Sequence, residues 1–249
     1  MDLSWQTITI ATVVFYIAEV YGTIIGGGGF LIQPVLIMLG IPPATAIASD
    51  VTASIGGEIG AISKLHKHGH VSWQHAIWIV PGTICGGIAG SYLLNYLPAN
   101  FLEKMIGVLG ICMVLYMIFG KRDGLSEHPL PKHWRALALL IGLIIGTYMG
   151  VSGAGSGTLA SILLVAIMGF VHLKALGTRK VFLFSAKAAA IGGYFWAGLL
   201  EVKLLIPMFF AALLGGYTGS HIALKIGNIW LKRIFIVVVS GLAIWLLLK

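Results

Sequence analysis

Apolar runs long enough to cross a bilayer, about 20 residues each, follow one another along almost the whole chain with short polar gaps between them. The pattern predicts helical spans over residues 43–63, 74–97, 101–119, 175–197, 203–224 and 229–248. Two further stretches, 6–40 and 134–170, are too long for one crossing, and glycine interrupts each of them. The first break is Gly26-Gly27-Gly28-Gly29, and the second runs from Gly150 to Gly157. A break facing lipid would leave backbone N–H and C=O groups without partners, so it persists only where protein or a polar cavity surrounds it. Paired breaks at matching places in two halves of a chain point to the binding site of a transporter.

The two halves match in more than their breaks. An offset of 129 places Gly40 on Gly169, Ala46 on Ala175, Ser49 on Thr178 and Gly69 on Gly198. The same offset places Gly86, Gly87, Gly90 and Ser91 on Gly215, Gly216, Gly219 and Ser220. Upstream the offset is 124, with Gly22-Thr23 on Gly146-Thr147, so the insertion falls in the second glycine tract. The expected fold is an all-α integral membrane protein, one transport domain over residues 1–249. Repeat 1 covers about 6–119, a cytoplasmic linker about 120–133, and repeat 2 about 134–249. Each repeat is a Gly-broken re-entrant or hairpin segment followed by three transmembrane helices. The ladders Gly82, Gly86, Gly90 and Gly215, Gly219 have the four-residue spacing of close helix contacts.

Composition agrees: 58% of residues are hydrophobic and 10% charged, which excludes a soluble domain of this length. Residues 6–25 follow Asp2 instead of a basic segment and run into the glycine tract without a clear cleavage site, so they read as a span, not a signal peptide. The net charge of +8 is dispersed among short loops, so no nucleic-acid partner is expected. Loops 64–75, 120–135, 171–180 and 225–233 hold 12 of the 16 Lys and Arg, and the positive-inside rule puts them in the cytoplasm. Both termini then lie outside the cytoplasm, in a multi-pass protein of the cell inner membrane. Each broken segment returns to its starting side, and the two halves are inverted. Trp5, Trp73, Trp134, Trp196 and Trp230 stand near span ends, as interfacial anchors do.

Candidate chemistry centres on the breaks. Short helices are expected to start at about Phe30 and about Thr158, presenting unpaired N–H groups with partial positive charge. Two such ends facing each other make an anion site with little need of Lys or Arg. The substrate-binding candidates are Gly27, Gly28, Gly29, Gln33, Ser152, Gly153, Ser156, Thr158 and Lys187. Close helix packing is the plainer use of the same glycines. Glu19, Asp50, Glu58 and Arg179 are candidates for gating or coupling, since intramembrane charges default to function. Lys187 either pairs with Glu58, its repeat equivalent, or is the free counter-charge of an anion. Glu19 either binds a coupling proton or caps an interface.

Other residues offer less. Cys85 and Cys112 fall inside apolar runs and are expected as small buried hydrophobes. Of His66, His68 and His70 only the first and last would share a helix face, and no acid or Cys completes a metal set. No metal or cofactor is expected. No catalytic constellation and no phosphate-binding Gly-Lys loop is legible, so the chain does not read as an enzyme.

The stretch Gly-Gly-Gly-Phe-Leu-Ile-Gln-Pro-Val-Leu at 27–36, followed by Gly40 and Ala46, resembles the first repeat of the TauE/SafE family of sulfite-exporter-type anion permeases. Gly86-Gly87, Gly90-Ser91, Leu97-Pro98 and Phe101-Leu102 are similar to that family's later spans, and Gly153 to Gly157, Gly177-Thr178 and Gly215 to Ser220 repeat the signature. The resemblance implies a bacterial-type carrier of sulfite, a sulfonate or a related small anion. Two departures stand out. The second repeat has Leu159-Ala160-Ser161 where the first has its proline, and the family's Thr-Ser-like pair is Ser49-Asp50 and Thr178-Arg179 here. The expected function is secondary transport of a small sulfur-containing oxyanion by alternating access, with a small anion, the bilayer and a coupling proton as partners. The other readings are an anion channel and a membrane scaffold or assembly protein without a substrate.

Overall fold

The computed structural model describes residues 4–94, 96, 98 and 124–248, and every regular element among them is a helix. The expected span 101–119, with Cys112, lies outside the described residues. The chain is therefore all-α, as its apolar pattern predicts.

Helix α1 (Trp5–Ile25) starts under a Ser4 cap, whose Oγ accepts the Thr7 N–H at 3.1 Å, and ends at Gly26. Gly26 has φ 104°, a left-handed conformation open to glycine and strained for other residues. Helix α2 (Gly29–Met38) follows, and its ten residues extend only about 15 Å, half the hydrocarbon thickness. The second break has the same form. Helix α6 (Trp134–Val151) leads into left-handed Gly153 and Gly155, and α7 (Ser156–Ala166) is again a half-length helix. The short helices thus begin one or two residues before the positions that the sequence predicts.

The expected single span over 43–63 is corrected. It is two helices, α3 (Pro43–Ala53) and α4 (Ile55–Lys67), with the break at Ser54. Ser54 has ψ −4°, and its Oγ donates to the Val51 carbonyl at 3.1 Å, the local bond by which serine competes with the helix ladder. Helix α5 (Trp73–Leu93) is a full-length span. Helix α8 (His172–Trp196) starts before residue 175, so most of the loop expected at 171–180 is helical. Helix α9 (Val202–Leu248) is broken at Gly227, where φ is 70° and ψ −178°.

Four described segments are long and apolar enough to cross a membrane: Trp5–Ile25, Trp73–Leu93, Trp134–Val151 and Val202–Gly227. Their outward surfaces are apolar, with Val13, Ile17, Ile77, Ile88, Leu140, Ile144, Phe210 and Leu214 all exposed. Glu19, Asp50, Glu58, Arg179, Lys180 and Lys187 are buried instead, the arrangement a hydrocarbon solvent imposes on charges within the bundle. Cys85 corrects another expectation: it is exposed on this apolar surface and not buried.

Small residues bring the helices together. A Cβ added at Gly82, Gly86 or Gly90 of α5 would collide with the carbonyl oxygens of Leu139, Leu143 and Thr147 on α6. Gly142, Gly146 and Gly150 of α6 meet the carbonyls of Ile79, Thr83 and Gly87 in return. This reciprocal zipper uses backbone contact where no hydrophobic force drives helix association. Gly215 and Gly219 of α9 pack likewise on α1, against Tyr16 O and Val20 O. The described part of the linker, 124–133, lies over the α7–α8 turn, with His128 N donating to Gly169 O at 2.9 Å and His172 N to Gly124 O at 3.0 Å.

Candidate functional site

The two glycine tracts meet. A Cβ at Gly26 would run into the backbone of Gly157 and Thr158, and one at Gly29 would lie 2.9 Å from Ala154 Cα. The Phe30 ring occupies the space a side chain at Gly155 would need. Side chains fasten the crossing. Thr158 Oγ1 donates to Ile25 O at 3.0 Å, and Gln33 Nε2 donates both to Asp50 Oδ2 at 2.8 Å and to Ser152 O at 2.7 Å. The Tyr148 hydroxyl donates to Ala154 O, and that of Tyr194 to Gly150 O at 2.8 Å.

Beside this crossing is a cavity of about 40 Å³, room for roughly three waters. Gly26, Gly28 and Gly29 line it from one tract, with Gly22 of α1, and Gly153, Ser156 and Gly157 line it from the other. Among the described residues, no hydrogen bond takes the backbone N–H of Gly28, Gly29 or Gly157. These are the orphan donors that a helix start leaves, and with the helix dipoles they favour an anion.

The cavity also collects six ionisable residues: Glu19, Asp50 and Glu58, with Arg179, Lys180 and Lys187. All six are buried. Lys187 Nζ donates to Glu58 Oε1 at 2.5 Å, and Lys180 Nζ lies 3.0 Å from Glu58 Oε2, an ion pair whose angles are not those of a hydrogen bond. Lys180 Nζ also donates to Thr23 Oγ1 at 3.2 Å. One carboxylate therefore holds two ammonium groups. The Arg179 fork donates to Gly157 O at 2.5 Å, to Ser161 Oγ at 2.6 Å and to Thr23 O at 2.7 Å. It closes the carbonyl end of α1, the favourable end of a helix for a cation, and ties it to the start of α7.

Of the sequence candidates, Gly28, Gly29, Gly153, Ser156, Lys187, Glu19, Asp50, Glu58 and Arg179 line the cavity. Gly27, Gln33, Ser152 and Thr158 stand behind its wall, and the hydrogen bonds above occupy the Gln33 amide and the Thr158 hydroxyl. Lys180 and Ser54 are lining residues that the sequence pattern does not single out. Lys180 and Lys187 are seven apart, two turns of one helix face, a spacing that would have found Lys180 had 171–180 been read as helix.

The His66–His70 stretch is elsewhere. Trp73 Nε1 donates to His66 Nδ1 at 3.0 Å, and His68 Nδ1 donates to Lys64 O at 2.8 Å. Partial burial, with His68 nearby, lowers the pKa of His70 below the usual imidazole range.

The Arg179 geometry carries a prediction. Lysine keeps the charge but has one nitrogen in place of a two-nitrogen fork. Arg179→Lys is expected to cost about 2–4 kcal/mol through lost charge-assisted bonds, read as a lower thermal unfolding midpoint in detergent. An unchanged midpoint would mean the fork does not tie α1 to α7.

Apolar spans outside, charge inside and half-helices meeting at a buried cavity define the class as a multi-pass membrane protein built for small-molecule passage. The chain belongs to the sulfite exporter TauE/SafE family, whose model matches residues 11–246. It is similar to a probable membrane transporter protein of a Sinorhizobium species, 27% identical over 99% of this chain and 94% of the relative. It is also similar to probable membrane transporter proteins of Haemophilus influenzae (24% identical; 95% of this chain, 93% of the relative) and of Escherichia coli K12, YfcA (28%; 92% and 86%). No solved structure matches the chain.

Proposed function

We propose that the protein is a secondary transporter that moves a small sulfur-containing oxyanion, such as sulfite or a sulfonate, across the inner membrane by alternating access. The observation that carries this reading is the meeting of two glycine-tract helix starts at one buried cavity that also holds three cationic side chains. Free N–H groups of Gly28, Gly29 and Gly157 and the Lys180–Lys187 edge would hold the oxygens, while the Ser156 hydroxyl on the same wall already donates to Gly153 O at 2.6 Å.

The two halves work as inverted repeats in this reading, with both termini outside the cytoplasm and the site at their interface. Support comes from pairs at the repeat offset. Glu58 bonds Lys187, 129 residues on, and Asp50 and Arg179, also 129 apart, line the same cavity. Arg179 and Lys180 are buried in α8 and leave the count of loop cations, but the remaining loops keep the same positive bias.

Thermal unfolding of the detergent-purified protein across sulfite, sulfate, thiosulfate, small sulfonates and carboxylates, with chloride as the ionic-strength control, tests the reading. One sulfur oxyanion should raise the midpoint selectively and saturably, since ligand at 100-fold its Kd adds about 2.7 kcal/mol. No shift with any of them overturns the assignment. Counterflow in liposomes then separates a carrier, which shows it, from a channel.

A further inference from the structure

We propose that Glu19 carries a proton into the site with each anion, so that transport is proton–anion symport; this rests on the oxyanion-transport reading. The Glu19 carboxyl lines the cavity, lies against Gly57 of α4 and is 7% exposed. Among the described residues no hydrogen bond or ion pair reaches it.

Every neighbouring element supplies part of its setting. Helix α4 presents Glu58, α3 presents Asp50, and α8 presents Arg179, Lys180 and Lys187. Helix α9 presents Gly215 against its Cβ, and α2 and α7 present glycine and Ser156, with no titratable group on the cavity wall.

Each cation already has a partner in the protein. Glu58 holds both lysines, and Arg179 is spent on carbonyls and Ser161. With Glu19 and Asp50 both ionised the six charges cancel, and an arriving oxyanion meets two carboxylates. With Glu19 protonated the site has a net positive charge, and its carboxyl donates a hydrogen bond to the anion instead of repelling it. Asp50 differs in having the Gln33 amide as a partner already. Glu19 is thus the carboxyl left to answer the substrate. The proton comes from water on the side of entry and leaves with the anion on the other side, so charge and atoms balance in each transfer.

The experiment uses methanesulfonate and sulfate, which stay ionised across the working range, unlike sulfite. Wild-type protein in weak buffer with a pH indicator should take up about one proton per anion bound. Its Kd should rise about tenfold per pH unit above the titration of the empty site. Glu19→Gln should bind with a flat pH profile and exchange anion in counterflow, yet lose accumulation driven by an inward proton gradient. Binding without proton uptake by the wild type overturns the coupling alone, whether or not the variant folds. Failure of these and every other panel anion to bind overturns the transport reading, and the coupling with it. Proton uptake that Glu19→Gln retains moves the role to another group and overturns the assignment to Glu19.

Discussion

Gly26→Ala is expected to prevent accumulation of the folded transporter. Two independent costs fall on one methyl group. At φ 104° a side chain is strained, at about 1–3 kcal/mol. The new Cβ would also overlap the backbone of Gly157 and Thr158 and lie 2.7 Å from Arg179 Nη1. Backbone cannot rotate away as a flexible side chain can, so overpacking adds about 1–3 kcal/mol. Together these reach about 2–6 kcal/mol, comparable with the whole stability of many folded domains. The expected readout is loss of the monodisperse detergent peak, or a midpoint far below that of the wild type. Gly192→Ala is the control: Gly192 is helical and an added Cβ meets nothing within 4 Å. It should be neutral or stabilising by up to about 1 kcal/mol. Equal stability of the two variants would mean that the tracts do not cross in contact.

That crossing was legible in the chain because lipid makes broken backbone so costly. Four consecutive glycines inside an apolar run can survive only where protein or a polar cavity encloses them, and the N-termini of α2 and α7 follow within one or two residues. The zipper of α5 on α6 was half legible. The Gly82–Gly90 ladder pointed to packing, but its partner ladder Gly142–Gly150 emerged only from the contacts. Other features depend on tertiary partners that periodicity cannot show. Arg179 and Lys180 looked like loop cations because charge is the orientation signal for loops. Carbonyls of α1 and α7 and the Glu58 carboxylate make their burial possible, and all are distant in sequence. The break at Ser54 was hidden for a related reason. Ser-Ile-Gly-Gly continues a plausible helical run, and one local hydroxyl bond next to the cavity decides against it. Cys85 was misjudged because apolarity implies burial in water, whereas in a bilayer the lipid face is apolar as well.

Glu58→Gln is expected to cost about 3–5 kcal/mol, the penalty for leaving a buried ion without its partner. The geometry says which ion bears it. Lys180 keeps the Thr23 hydroxyl at 3.2 Å, but Lys187 loses the negative charge on the acceptor of the one hydrogen bond the structure gives it. Lys187→Met alone should therefore be milder, because Glu58 still has Lys180 at 3.0 Å. The double variant Glu58→Gln with Lys187→Met should recover much of the loss, because the stranded charge is gone. Unfolding midpoints of the four proteins form a double-mutant cycle, and its coupling should survive high salt, which screens buried pairs little. A double variant no more stable than Glu58→Gln would show that Lys187 is not what Glu58 compensates. The cycle also separates two uses of Lys187. If the ion pair only stabilises the fold, Lys187→Met retains anion affinity once its stability loss is allowed for. If the edge of the ammonium group that lines the cavity holds substrate, affinity falls in Lys187→Met although Glu58 remains satisfied by Lys180. The transport reading requires the second result, since Lys187 can offer two further N–H donors to an anion while it keeps its bond to Glu58.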